Sequence, residues 1–355
     1  MPPFSFWSKA RGLPRAEFAA SLARRYTFGM FSRTRVAVLR GGPSSEYGAS
    51  LKTGATVLSH LPEQYHPLDV FIDREGIWHL HGRVRRPESI LGSIDAVWNA
   101  LHGEYGEDGT LQHILETHHI PFSGSRRLGS SLAQNKHLAK KIIKRFGINT
   151  PVSRLIRREE VTSIGDLALE LCRTFPQPSI VKPAQKGSSI GVSVAKTADE
   201  LVLALTAALG LSEAVLVEEY IDGKEAVCGV IENYRGLALY PLLPAEVVLP
   251  NDSFFLDEES RWGGIARYSC PGRFSAGEKS KLQKLAQKVH YLLGLRHYSS
   301  SEFIIHPRRG IFFIEVDALP CLGVNISPYR ESLLAVGIPT AHFLNHVLES
   351  ALQER

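Results

Sequence analysis

Between Ser179 and Val194 the chain reads SIVKPAQKGSSIGVSV: a short apolar strand ending in Lys182-Pro183, a loop of small residues, and a second β-prone run from Ile190. A lysine at the mouth of a strand, followed by amides able to close over an anion, suits the phosphates of a nucleotide. Two commoner nucleotide motifs do not fit. The lysine precedes the glycines, unlike GxxxxGK[ST], and only Gly187 and Gly191 stand where GxGxxG would need a third. Taken alone, Lys182 reads equally well as a solvated strand end and Gly187 as a hairpin residue. The rest of the chain has to decide between them.

The 355 residues, 44% of them apolar, can bury large cores and suggest two or three domains. No apolar run approaches bilayer length, so a soluble protein with no membrane partner is expected. The net charge of +5 belongs to an arm: residues 1–35 hold seven Lys/Arg against Glu17 alone, leaving 34 basic and 35 acidic residues elsewhere. A nearly neutral body argues against nucleic acid as a partner. The arm is Arg-rich and acid-poor like a transit peptide but lacks the apolar core of a secretory signal. Met30 is the only methionine after Met1, so translation from it would remove nearly all of the arm. Four cysteines without a CxxC pair fit a reducing compartment.

Along the chain, Arg35 to Leu39 breaks into Gly41-Gly42-Pro43-Ser44-Ser45-Glu46 and resumes as a helical pattern over 49–61. This strand, glycine turn and helix open a Rossmann-like α/β sheet, whose ligands lie beyond the carboxyl ends of the strands. Further strands are expected at 67–72 and 94–101, with a helix after Thr110 capped by Asp108 or Thr110. One helix is expected over 132–146, then strands at 152–156, 214–221, 225–231, 238–249, 298–305 and 311–316, with helices at 164–175, 198–209 and 280–293. Mixed strands and helices throughout indicate α/β followed by α+β architecture.

The chemistry concentrates on two predicted strands, SEFII and FFIEVD. Strand period puts Glu315 and Asp317 on one face, and pairing with the neighbouring strand would bring Glu302 beside them. Three hard oxygen ligands suit Mg2+ bridging nucleotide phosphates, and charge in such apolar company needs a metal or a counter-ion. The acidic edge Glu218-Glu219-Tyr220-Ile221 could hydrogen-bond an adenine edge while Ile221 covers its face, and Glu225 could accept from ribose hydroxyls.

These residues resemble a known family. RVAVLRGGPSSE, ALHGEYGEDGTLQ with PFSGS, the NK of SLAQNKHLAKK, IVKPAQKGSSIGVS, VLVEEYIDGKE and FFIEVDALP occur in the order and approximate spacing of the D-alanine-D-alanine ligases of the ATP-grasp superfamily. The resemblance covers Arg35 to the C-terminus. It implies a three-domain ATP-grasp ligase: an α/β domain at 35–124, a central domain at 125–217 and a C-terminal domain at 218–355, after a basic arm at 1–34. It further implies a cytoplasmic enzyme, commonly a homodimer, that uses ATP and Mg2+ (or Mn2+) to phosphorylate one D-alanine and join it to a second, for peptidoglycan precursors. By position, Lys136 and Lys182 resemble the phosphate-binding lysines and Ser188 the serine of the closing loop. Glu218, Glu219 and Ile221 resemble the adenine contacts and Glu225 the ribose contact. Glu46 and His102 resemble the first-substrate subsite, and Glu302, Glu315 and Asp317 the Mg2+ ligands.

Some positions depart from the family pattern. Asp317 replaces asparagine and Glu302 replaces aspartate. The arginine that stabilises the tetrahedral oxyanion is Ser300, which cannot supply that charge. Cys321 stands where glycine is usual, its amide still a candidate oxyanion donor. The Lys-Tyr pair of the mobile loop has no clean match in FFLDEESRWGG, and Arg261, Arg267 and Arg296 are the candidates to restore the missing charge. The nucleotide side is thus intact and the acceptor side altered. That leaves as alternatives a ligase with another acceptor, namely another D-amino acid, a hydroxy acid or a dipeptide, or a nucleotide-binding protein without activity.

Overall fold

The computed structural model describes residues 33–187, 189–248, 267–324 and 327–354. The arm to residue 32, Ser188 and Arg261 lie outside them. Three sheets carry the fold. In the first, β1 (Thr34–Gly41) leads through α1 (Tyr47–His60) to β2 (Tyr65–Ile72), followed by β3 (Trp78–Leu80), β4 (Arg83–Val84), α2 (Pro87–Leu91), β5 (Ala96–Asn99) and α3 (Thr110–Thr117). The sheet order is β4-β3-β2-β1-β5, with β1 parallel to both β2 and β5. Val36, Ala37, Val38 and Leu39 are all buried, as a parallel strand covered on both faces requires. The turns after β1 and β5 leave the same sheet edge, which sets Glu46 near His102.

The expected strand at 94–101 is shorter because Asn99 ends it: its Oδ1 accepts from Leu101 N at 3.0 Å and its Nδ2 donates to Gly106 O at 2.9 Å. The N-cap of α3 is Gly109, neither of the residues expected, and Asp108 supports it by accepting from Thr110 N at 2.8 Å.

The single helix expected at 132–146 is two, α4 (Arg127–Gln134) and α5 (Lys136–Arg145), parted at Asn135. Asn135 turns extended and caps α5, its side chain accepting from Leu138 N. Asparagine favours this position because its side-chain oxygen satisfies an otherwise orphan helix amide. Lys136 therefore opens α5. The chain continues as β6 (Ser153–Arg157), α6 (Ile164–Thr174), β7 (Ser179–Pro183), β8 (Ser193–Ala195), α7 (Ala198–Leu211) and β9 (Ala214–Glu219). These strands form the antiparallel second sheet, in order β6-β9-β7-β8, over a core shared with α6 and α7. The sheet ends at Glu219, so the boundary expected at 217 falls within β9.

The third sheet holds β10 (Lys224–Tyr234), β11 (Leu237–Pro241), β12 (Ala245–Val248), β13 (Arg267–Ser269), β14 (Tyr298–His306) and β15 (Gly310–Asp317). Its helices are α8 (Ala276–Leu292), α9 (Pro328–Ala335) and α10 (Thr340–Gln353). The one strand expected at 238–249 is divided between β11 and β12 near Pro244, which has no N–H for a ladder. Ala133, Ala139 and Ile143 of α4 and α5 pack in one core with Phe303 and Phe313 of this sheet and Leu282 of α8. Trp98 of β5 packs with Tyr298, Tyr329 and Phe343, so the first and third sheets also share a core. Among the described residues no helix is long and apolar enough to cross a membrane.

At the chain end, Glu354 accepts from Arg296 Nη1 at 2.7 Å and lies 3.3 Å from His297 Nε2. Arg296 also donates to Gly124 O at 2.8 Å and Phe122 O at 2.9 Å. His297 first, with the Arg296 guanidinium, holds the Glu354 carboxyl down at about 2 against the effect of burial. A depressed acid stabilises the fold above its unfolded value and loses that contribution as the pH falls. Glu354→Gln is therefore expected to cost about 1 kcal/mol at pH 7, the value for a partly exposed pair, with the difference vanishing between pH 4.5 and about 2 in urea titrations.

Candidate active site

A cavity of about 550 Å3 lies between the second and third sheets. β7 brings Lys182 to it and β9 brings Glu218. Beyond β9, Ile221 lines it from the connecting segment and Glu225 from the start of β10. The register of β14 and β15 sets Glu302 directly opposite Glu315 and Ser300 opposite Asp317. Like charges facing each other across a ladder are unfavourable and call for a cation. Lys136 supplies part of it, its Nζ 3.3 Å from Glu315 Oε2 and donating to Lys186 O at 2.6 Å.

At the cavity wall and behind it, three buried charges form a chain. Glu218 accepts from Lys140 and lies 2.9 Å from Lys182 Nζ, with all three side chains at most 5% exposed. Burial pushes Lys140 down to about 7, with repulsion from Lys182 adding to it and Glu218 opposing. Burial likewise works against ionisation of Glu218 and Lys182, but their mutual attraction wins: Glu218 stays below the usual carboxylate range and Lys182 above that of lysine. The pair of lysines leaves more positive charge here than Glu218 alone can balance, and Lys182 presents it to the cavity.

Glu219 also lines the cavity, but its carboxylate is held by Arg309, one bond measuring 3.2 Å, and accepts from Val152 N at 3.3 Å. The Glu219 side chain is thus occupied within the protein, which leaves its backbone to the cavity.

A second cavity of about 60 Å3 is lined by Glu46, His102, Ser300, Asp317 and Cys321, and it shares Lys136, Glu302 and Glu315 with the first. The glycine loop closes over it. Lys186 Nζ lies 2.5 Å from Glu104 Oε1, and a Cβ at Gly187 would come within 2.5 Å of Glu46 Oε1. Gly103, at φ +71, approaches the same oxygen, where a Cβ would stand 2.8 Å away. Glu46 thus sits in a notch that only glycines leave open. His102 is fixed at both ring nitrogens, by Thr53 Oγ1 at 2.9 Å and Glu107 Oε1 at 3.1 Å.

Neither described arginine proposed to replace the missing charge reaches this cavity. Arg296 is spent on Gly124, Phe122 and Glu354, and Arg267 is exposed at the start of β13. Among the described residues lining it, Lys136 is the sole lysine or arginine, against the carboxylates of Glu46, Glu107, Glu302, Glu315 and Asp317.

No group of three or more His, Cys, Asp or Glu among the described residues forms a ready-made metal cage. The donor set nevertheless fits Mg2+, which takes one or two carboxylates and completes its octahedron with phosphate oxygens and water. The opposed Glu302 and Glu315, with Lys136 beside Glu315, are oxygen donors of the kind it takes.

A two-sheet clamp with lysines and paired acids, opening onto a small polar subsite, defines an ATP-grasp ligase. Family models agree: the D-ala D-ala ligase C-terminus matches residues 142–349 and the D-ala D-ala ligase N-terminus matches 83–125. A D-alanine-D-alanine ligase of Solibacter usitatus is 30% identical over 90% of this chain and 96% of its own. The structure superposes on a VanG D-Ala:D-Ser ligase from Enterococcus faecalis with TM-score 0.76 at 25% identity, covering 90% of this chain and 100% of that one. It also superposes on an ATP complex of the Bacillus anthracis D-alanine-D-alanine ligase with TM-score 0.73 at 25% identity, covering 90% and 98%. The chain belongs to the D-alanine-D-alanine ligase family, ATP-dependent enzymes of peptidoglycan precursor synthesis.

Sequence reading missed Lys140, Thr53 and Glu107. The first had a signal, since it stands four residues after Lys136 and so shares its helix face. Glu218→Gln would leave two buried lysines without their counter-charge and is expected to cost about 3–5 kcal/mol in urea unfolding. Lys140→Met leaves the Glu218–Lys182 pair intact and should cost clearly less. Since a lysine depressed in the fold adds stability as the pH rises from about 7 toward 10.5, that rise should be absent in Lys140→Met.

Proposed function

We propose that this protein joins two D-alanines through an acyl phosphate, using ATP and Mg2+, as a cytoplasmic homodimer of the three-domain plan. The observation that carries the reading is the shared wall: Lys136, Glu302 and Glu315 line both cavities, so a phosphoryl group in one can reach a carboxylate in the other. Adenine lies along Glu218 to Ile221, with Glu219 contributing its backbone, and the ribose lies at Glu225. The triphosphate runs toward Lys182 and Lys136 beneath the loop that contains Ser188. Glu46 holds the ammonium of the first D-alanine, and His102 belongs to the same subsite.

The carboxylate oxygen of that D-alanine attacks the γ-phosphorus, and the bond to the β-bridging oxygen breaks. The amine of the second D-alanine then adds to the acyl carbon, and phosphate leaves. Lys136 and Lys182 offset charge gathering on the phosphoryl oxygens, the main task a protein has in such a transfer. Glu302, Glu315 and Asp317 would hold Mg2+ or Mn2+, which when bound neutralises the β- and γ-phosphates. The amide of Cys321 faces the oxyanion. The acidic wall favours an acceptor carrying an ammonium over a hydroxy acid.

Ser300 supports a second reading, in which the mechanism stays and the acceptor differs. The Enterococcus faecalis relative is by name a D-Ala:D-Ser ligase. Phosphate release with D-alanine, D-serine or D-lactate as acceptor separates the readings: D-alanine-dependent release with matching dipeptide is expected, and release only with another acceptor would replace the first reading by the second. Lys182→Met is expected to lower kcat/KM by ~100-fold or more. Ser300→Arg should raise kcat by ~10-fold if the oxyanion lacks only charge, and an unchanged or lower kcat would count against that account.

A further inference from the structure

Glycine is usual in the family at the position of Cys321, and glycine has no side chain to react. Here the thiol joins a chain of polar groups drawn from distant parts of the sequence. Thr53 Oγ1, on α1, lies 3.3 Å from Cys321 Sγ, a pairing across 268 residues, and 2.9 Å from His102 Nε2. His102 Nδ1 meets Glu107 Oε1 at 3.1 Å, and Gly323 N donates to Cys321 Sγ at 3.3 Å.

Glu107 is an acceptor, so Nδ1 carries hydrogen and Nε2 is the basic nitrogen facing Thr53. Leu322 N donates to Thr53 Oγ1 at 3.3 Å. Two proton arrangements then satisfy every group: thiol to Thr53 to Nε2, or imidazolium to Thr53 to thiolate. The backbone amide of Gly323, aimed at the sulfur, favours the second, because a hydrogen bond to a charged acceptor is the stronger one. The electrostatics point the same way. Burial raises the thiol, yet the nearby His102 and the bonds from Thr53 and Gly323 N bring it below the usual range. Burial lowers His102, but Cys321 and Glu107 carry it well above its ordinary value.

We infer that Glu107, His102 and Thr53 hold Cys321 as a nucleophilic thiolate, a site of covalent oxidation by small peroxides on the wall of the second cavity. The inference goes beyond the ligase reading and depends on it only for the consequence that oxidation blocks the amino-acid side. Size selects the reagent. A cavity of about 60 Å3 admits a few waters, hence hydrogen peroxide, but not a bulky alkylating agent. In the reaction a sulfur lone pair attacks one peroxide oxygen and the O–O bond breaks. Sulfur is oxidised to the sulfenic acid, and the departing hydroxide takes the proton held by His102 to leave as water. The sulfenic oxygen would then occupy the space beside Cys321, and a thiol reductant restores the enzyme.

The charges facing the thiol are His102, with Glu107 behind it, and across the cavity Glu46, Glu302, Glu315, Asp317 and Lys136. The acids oppose a thiolate, so the relay is what sustains it.

The test exposes the full chain to hydrogen peroxide from pH 6 to 8, quenches it by unfolding in a sulfenic-acid trap, and reads each cysteine peptide by mass spectrometry. Cys321 should be modified at least 10-fold faster than Cys172 at pH 6, and its rate should depend less on pH in the native protein than in Thr53→Val. Thr53→Val and Glu107→Gln should each slow Cys321 at least 10-fold at pH 6. A Cys321 rate that tracks Cys172, or that neither variant changes, overturns the inference. Protection of Cys321 by D-alanine tests the cavity assignment separately: its absence alongside a fast Cys321 would fault the ligase subsite and leave the thiolate standing.

Discussion

The structure depends most on how it keeps charge inside apolar sheets. Glu218 is buried between Lys140 and Lys182, and Glu315 faces Glu302 across a ladder with Lys136 beside it. Each group alone would be costly to bury, and the Glu218–Lys182 attraction keeps that pair ionised while burial pushes Lys140 down. The arrangement leaves an excess of ammonium on one wall of the larger cavity and an excess of carboxylate on the other. A polyphosphate with its cation would complement both walls at once.

The same economy of position joins the two cavities. Asn135 breaks what would have been one helix, and the break puts Lys136 at a helix start, where its ammonium reaches Glu315 and the loop carbonyl of Lys186. That loop comes down on the first domain through Lys186 and Glu104, with Gly187 against Glu46. A side chain at Gly187 would part the second sheet from the first. The substrate end and the phosphate end of the site are thus aligned by one residue type at one turn and one cap at another.

Much of this was legible in the sequence where strand ends carry charge. Lys182, Glu218, Glu302 and Glu315 were readable because ions at the mouths of apolar strands need partners, and the register of β14 and β15 supplies them. Lys140 was signalled only by the helix face it shares with Lys136; KHLAKKIIKR otherwise reads as a solvated helix, and the fold buries both of these lysines. Asn135 was hidden by helical periodicity that continues across it. Arg296 was readable as a cation but not as a tie for Gly124 and the chain end, since that partnership spans 172 residues. The Cys321 relay was invisible for the same reason: Thr53, His102 and Cys321 meet only when three segments fold together, and sequence offered no more than the backbone amide of Cys321.

The central claim is that the cleft between the second and third sheets holds the nucleotide with its phosphates directed at the amino-acid subsite. A crystal structure with ADP, Mg2+ and a phosphorylated D-alanine analogue tests it most directly. The account predicts phosphate oxygens against Lys136 and Lys182, metal on Glu302 and Glu315, and the analogue's ammonium at Glu46. A nucleotide bound elsewhere, or phosphates turned away from the cavity of Glu46 and His102, would contradict it.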